Sequence, residues 1–213
     1  MAKVLRLSLV SVEEAVAEAS QVVKSGGLVV YPTDTVYGLG ADPLNEAAVA
    51  RAFEAKRREA KPMPVLVSSI EAAKRLAHVS EGAEALMRLF WPGALTIVLP
   101  SRGVVPSRVT AGLPSIGVRM PSHPVALRLI EACGGALIGT SANISGRPPP
   151  RTVEEALSQV GGYVDLAIDA GPAPHGVPST VVDLSSGEPR LVREGPLSWG
   201  EVLRALGRSA TSI

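Results

Sequence analysis

Several residue types are scarce in this chain of 213 residues, and each scarcity excludes something. There is one cysteine, Cys133, so no internal disulfide can form and a reducing compartment fits. Cys133 itself reads as a small core residue on a helix. The three histidines, His78, His123 and His175, stand far apart, and none holds a metal-ligand spacing with Cys133, which argues against a built-in zinc site. Aromatic residues make up only 3%, too few for a dedicated base-stacking surface. Neither sign of charge dominates: 21 Lys and Arg against 20 Asp and Glu leave a formal net charge of +1, with no global attraction for nucleic acid or an acidic membrane. The one local basic patch is Lys56-Arg57-Arg58 with Lys61. No segment approaches the roughly 20 apolar residues of a membrane span. Met1-Ala2-Lys3-Val4-Leu5-Arg6 also lacks the pattern of a signal peptide, and the cytoplasm is the expected location.

Familiar catalytic signatures are missing too. Neither the dinucleotide glycine fingerprint nor the Walker pattern occurs, so a nucleotide, if bound, is held another way. There is no Gly-x-Ser-x-Gly elbow and no histidine tied to a candidate serine, which leaves a hydrolytic triad unsupported.

What is abundant is small aliphatic surface. Hydrophobic residues reach 46%, enough for a sizeable core of Val, Leu, Ile and Ala. The periodicity alternates between strand and helix. Ser11 and Glu14 form a capping box for a helix from about Val12 to Ser25, and Leu28 to Tyr31 is a buried strand. Asn45 caps a helix whose inner face is Ala48, Val49, Ala52 and Phe53. Strands are predicted at Pro64–Val67, Ala94–Leu99, Ser115–Met120, Ala136–Gly139, Val164–Ile168, Ser179–Leu184 and Arg190–Arg193. Helices are predicted at Ile70–Ala77, Gly82–Phe90, from Pro124, from Thr152 with Glu155 to about Val160, and at Ser198–Leu206, where Glu201 completes another capping box. Val104–Thr110 is ambiguous. Interleaved strands and helices predict an α/β domain with helices packed on a central sheet. The link between the last two strands is too short for a crossover helix, so a mixed sheet is expected.

The chemistry must then come from loops. Tyr31 to Gly40 joins a buried strand to a helix and crowds two hydroxyls, a carboxylate and two phenols around Pro32, Gly38 and Gly40. Thr140 to Gly146 is a second loop dense in small polar side chains. With Thr33, Thr35, Ser141, Asn143 and Ser179 come the cations Lys56, Arg58, Arg119 and Arg193. Such a set in one cleft suits a ligand carrying carboxylate and phosphate groups, while cations that follow a helix also simply complement its dipole.

The ordered set Pro32-Thr33-Asp34-Thr35-Val36-Tyr37-Gly38-Leu39-Gly40, Lys56-x-Arg58, Phe90-Trp91-Pro92-Gly93-Ala94-Leu95-Thr96, Val118-Arg119-Met120-Pro121, Ser141-Ala142-Asn143 with Ser145-Gly146, and Pro178 to Asp183 resembles the YrdC-like family over nearly the whole chain. The resemblance implies one YrdC-like domain over residues 1–213, a twisted mixed β-sheet with helices packed on it and a ligand cleft lined by loops. It implies L-threonylcarbamoyladenylate synthase activity, which joins L-threonine, bicarbonate and ATP into threonylcarbamoyl-AMP and pyrophosphate for modification of the tRNA adenosine beside the anticodon. It further implies that Lys56, Arg58, Ser141 and Asn143 are catalytic and hold the ATP phosphates, with Ser115, Pro149 and Arg193 as further nucleotide contacts. Thr33, Thr35, Arg119 and Ser179 are implied to hold L-threonine, Arg119 facing its carboxylate. Magnesium arrives with ATP, with no protein metal ligands and no tightly bound cofactor. Implied partners are tRNA-modifying proteins that use the product, with tRNA or other RNA a candidate contact and no membrane. The chain ends soon after Leu206, as expected of a minimal form without an extra C-terminal domain. It departs from the family pattern near Val67, where a histidine is common, at Glu59, where proline is common, and at Pro149, which is often serine. Two other readings are an RNA-binding module without catalysis and a carbamoyl-transfer domain of metal-centre maturation.

Overall fold

The computed structural model describes residues 2–59 and 61–208. The strands are β1 (Lys3–Arg6), β2 (Val29–Tyr31), β3 (Gly38–Gly40), β4 (Val65–Val67), β5 (Leu95–Pro100), β6 (Ser115–Arg119), β7 (Ala136–Ile138), β8 (Thr140–Ser141), β9 (Leu166–Asp169), β10 (Thr180–Asp183) and β11 (Arg190–Arg193). The helices are α1 (Val12–Lys24), α2 (Glu46–Ala55), α3 (Ile70–Leu76), α4 (Glu81–Phe90), α5 (Ser107–Thr110), α6 (Pro124–Ala132), α7 (Val153–Val160) and α8 (Trp199–Ala205). The expected α/β architecture with mixed pairing is present, its strands divided between two sheets. One is five-stranded, ordered β1-β9-β2-β3-β8, and the other six-stranded, ordered β11-β10-β5-β6-β4-β7. β1, β9 and β2 run parallel, while β3 pairs antiparallel with β2 and β8 antiparallel with β3. In the second sheet β5 pairs parallel with β10 and antiparallel with β6, and β10 and β11 are antiparallel, as their short link requires.

Local chemistry explains the helix ends. Ser11 and Glu14 cap α1 reciprocally, as do Ser198 and Glu201 at α8. At α7 only half of the expected box forms: the Thr152 hydroxyl accepts from Glu155 N, but the Glu155 carboxylate accepts from Arg151 N at 2.7 Å. Cys133 is not a core residue but the half-buried C-cap of α6, and burial pushes its thiol up to about 11.

Two apolar clusters hold the layers together. Leu28 and Val30 face one, while Val29 and Tyr31 face the other, shared with α1 and α6. β2 is therefore covered on both sides, which is why its sequence is an unbroken apolar run. The sheets meet at Gly139, where the chain leaves β7 and enters β8. A Cβ there would lie 2.2 Å from Leu66 Cγ, so glycine lets the chain pass this close to the Leu66 side chain. The Tyr31 hydroxyl donates to Ile138 O at 3.2 Å across the same seam.

Candidate active site at the seam of the two sheets

Register places several polar residues at one end of the six-stranded sheet. β6 and β11 finish there with Arg119 and Arg193, while β5 and β10 begin there, with Leu95 opposite Thr180. The β2–β3 loop crosses this end, and Arg58 arrives from beyond α2. Together they line a cleft. Its lining carries Thr33, Thr35, Arg58, Arg119, Ser141, Ser179 and Arg193, all expected from the sequence, with the further polar groups Tyr31, Thr96 and Thr140.

The β2–β3 loop is held from within. Thr33 Oγ1 donates to Val36 O at 2.6 Å, accepts from the amides of Thr35 and Val36, and lies 3.0 Å from Thr35 Oγ1. Such hydroxyl-to-backbone bonds fix a loop that lacks a ladder of its own. Arg119 is buried and donates from Nε to Gly93 O at 2.8 Å, from NH1 to Thr35 Oγ1 at 2.8 Å and from NH2 to Asp34 Oδ2 at 2.6 Å. A guanidinium has five N–H donors, so two stay available to a ligand. Asp34 does not line the cleft: it neutralises Arg119 from behind, and its Oδ1 accepts from Ser122 N at 3.1 Å. On the opposite wall Ser179 Oγ lies 2.8 Å from Thr96 Oγ1 and accepts from Arg193 NH2 at 3.3 Å, while Arg193 Nε donates to Ser179 O at 3.0 Å. Gly195 closes behind, where a Cβ would lie 2.4 Å from Pro178 O and 2.6 Å from Thr180 N.

The electrostatics favour an anion. Among the described residues, three guanidinium groups line the cleft and no Asp or Glu does. Burial lowers the pKa of Arg58, and burial with the neighbouring Arg119 charge lowers that of Arg193. A bound carboxylate or phosphate relieves this crowding of like charge. Arg58 is aimed by two backbone carbonyls, with Nε donating to Lys61 O at 2.9 Å and NH2 to Pro62 O at 2.7 Å.

Four expected site residues are placed elsewhere. Lys56 is buried behind the cleft wall, where its ammonium donates to Ser141 O, to Asn143 O at 2.8 Å and to Asn143 Oδ1 at 3.4 Å. Burial first, and then the Arg58 charge, push its pKa down to about 7, while these carbonyl oxygens favour the protonated form. Asn143 Nδ2 donates to Ile144 O at 3.0 Å and Arg147 O at 2.7 Å, so Lys56 and Asn143 together shape the loop that presents Ser141. Ser115 stands at the opposite end of β6 from Arg119. Pro149 borders a separate shallow hollow with Arg147 and Arg151. Sequence reasoning missed Asp34 and Thr96 as site-forming residues, although both stand inside the motifs that drew attention to the region.

Fold and site thus define an α/β protein with a cationic, hydroxyl-lined cleft for a small anionic ligand. The Sua5_yciO_yrdC family, described as Telomere recombination, matches residues 21–195, and the chain belongs to that family. It is 42% identical to the threonylcarbamoyl-AMP synthase of Pyrococcus abyssi over 93% of this chain and 61% of that protein. It is 41% identical to a putative threonylcarbamoyl-AMP synthase of Mycobacterium tuberculosis over 93% of this chain and 92% of the relative. Among solved structures, P. abyssi Sua5 complexed with L-threonine superposes with a TM-score of 0.91 at 40% identity, covering 98% of this chain and 62% of that one. The chain therefore spans under two thirds of the P. abyssi protein but nearly all of the mycobacterial one. Among the described residues no helix is long and apolar enough to cross a membrane.

Proposed function

We propose that this chain is an L-threonylcarbamoyladenylate synthase, making threonylcarbamoyl-AMP and pyrophosphate from L-threonine, bicarbonate and ATP in the cytoplasm, for use by tRNA-modifying partner proteins. The observation that carries the reading is one cleft in which Thr33, Thr35 and Arg119 are joined by hydrogen bonds, Ser179 is bonded to Arg193, and Arg58 and Ser141 complete the polar lining. The relatives' names and the threonine complex of P. abyssi Sua5 support the assignment.

The reaction asks chiefly for positioning and charge neutralisation. Threonine's amine and bicarbonate condense to a carbamate with loss of water. A carbamate oxygen then attacks the α-phosphorus of ATP, and the bond to the β-phosphate breaks, releasing pyrophosphate. In this reading the two open donors of Arg119 and the Ser179 hydroxyl hold the amino-acid carboxylate. Val36, Pro64 and Leu66 supply an apolar wall for its methyl group. Arg58 takes up charge developing on the leaving group, while Lys56 and Asn143 act by fixing the Ser141 loop. With no carboxylate in the lining, magnesium would be held by triphosphate oxygens and water, supplying charge neutralisation there.

The test is pyrophosphate release from ATP and bicarbonate with L-threonine, with L-serine and with neither. Release should require the amino acid, and a missing methyl should lower kcat/KM about tenfold or more. Release that is indifferent to threonine would overturn the assignment.

A further inference from the structure

A second, open hollow lies beside the cleft, between the last turn of α2, the helix α5 and Tyr163. Arg51, Arg57, Arg58 and Arg108 line it, with Glu54 the only acidic side chain in its wall among the described residues. Arg51 is already neutralised by Asp165 at 3.0 Å. That leaves three guanidinium groups facing one carboxylate, in a chain whose net charge is only +1.

Two details mark these arginines out. Arg57 sits in the left-handed region at φ 46, just past the end of α2, with Arg57 N donating to Glu54 O and Arg58 N to Phe53 O, both at 2.9 Å. Glycine is the ordinary residue in such a helix-ending turn, because an L side chain there is strained. An arginine kept at this position points to use of its side chain. On the facing element the Arg108 guanidinium lies over the Phe53 ring at 5.6 Å from its centre, a cation–π contact.

Arg58 lines both this hollow and the cleft. Arg57 and Arg108 line the hollow beside it. We propose that the hollow is an outer phosphate site that receives pyrophosphate as it leaves the cleft, an inference that rests on the proposed reaction. Two adjacent phosphates suit several guanidinium groups on one shelf. An RNA backbone offers spaced phosphates as well, but the single exposed aromatic of the hollow, Tyr163, gives bases little to stack on.

Isothermal titration of inorganic pyrophosphate into the full chain, without ATP or threonine, tests the site in wild type, Arg57→Gly, Arg108→Ala and the double variant. Glycine suits the backbone at position 57, and thermal unfolding of each variant verifies the fold. The double variant should bind pyrophosphate about tenfold more weakly. Pyrophosphate should also inhibit its threonine-dependent turnover less, with KM for ATP unchanged. Wild-type affinity in the double variant, or no pyrophosphate binding to wild type, overturns the site. So does a short single-stranded RNA whose binding falls in the double variant while that of pyrophosphate does not. Failure of wild type to turn over ATP with threonine would defeat the proposed reaction, yet the titration would still decide whether the hollow takes pyrophosphate.

Discussion

Replacing Asp34 by asparagine probes the frame of the cleft without touching its lining. Asp34 and Arg119 are 4% and 5% exposed and meet at 2.6 Å, so neither charge is shared with water. Asparagine keeps the shape and one acceptor for Ser122 N, but it leaves the guanidinium as a buried cation without a counter-charge. Breaking a buried pair from one side typically costs about 3–5 kcal/mol, because the surviving charge stays desolvated. For a chain of this length that is roughly 6–20 °C in Tm. Urea unfolding of wild type and Asp34→Asn measures the loss, and Asp34→Asn/Arg119→Met, which removes both charges, should recover much of it. Ligand adds a second readout. If a threonine carboxylate docks on Arg119, it supplies the missing negative charge, so saturating L-threonine should stabilise Asp34→Asn more than wild type. A variant within about 1 kcal/mol of wild type, on the scale of an exposed pair, would refute the view that this ion pair holds the cleft together.

Other perturbations follow from the same geometry. Gly195→Ala places a methyl 2.4 Å from Pro178 O and must displace Ser179, so threonine KM should rise at least about tenfold while the protein stays folded in circular dichroism. Thr96→Val removes the hydroxyl 2.8 Å from Ser179 Oγ, and the loss of that bond, about 1 kcal/mol, should weaken threonine binding about fivefold by calorimetry. Lys56 has its pKa lowered from 10.5 to about 7. Between those limits the unfolded chain binds a proton that the folded chain lacks, so this group's contribution to stability rises with pH through that window and is flat below it. Lys56→Met should abolish that rise in urea unfolding series at graded pH, and parallel curves for the two proteins would contradict the assignment.

Much of the fold was legible because its long elements carry strong periodicity and caps. Ser11 with Glu14 and Ser198 with Glu201 mark helix starts that the structure reproduces. β1 and β3 were not legible. β1 is a four-residue strand with one buried side chain, and β3 is Gly38-Leu39-Gly40, whose glycines look like loop residues although each would press a Cβ within 3 Å of Tyr31 or Val29. The division into two sheets was equally hidden, since it turns on the single residue Gly139 and on which strand pairs with which. In the site, residue types foretold anion recognition, but contacts could not be read from spacing. Lys56 and Arg58 are two residues apart, yet only Arg58 reaches the cleft while Lys56 is spent on the carbonyls of a loop more than eighty residues away. Asp34 was overlooked because its partner, Arg119, is 85 positions distant.

The most direct test of the account follows the carbon of bicarbonate. Incubation with ATP, L-threonine and ¹³C-bicarbonate, followed by mass spectrometry of the nucleotide products, should reveal an adenylate that carries both threonine and the labelled carbon, formed in step with pyrophosphate. Pyrophosphate release with no labelled carbon in any adenylate would contradict it.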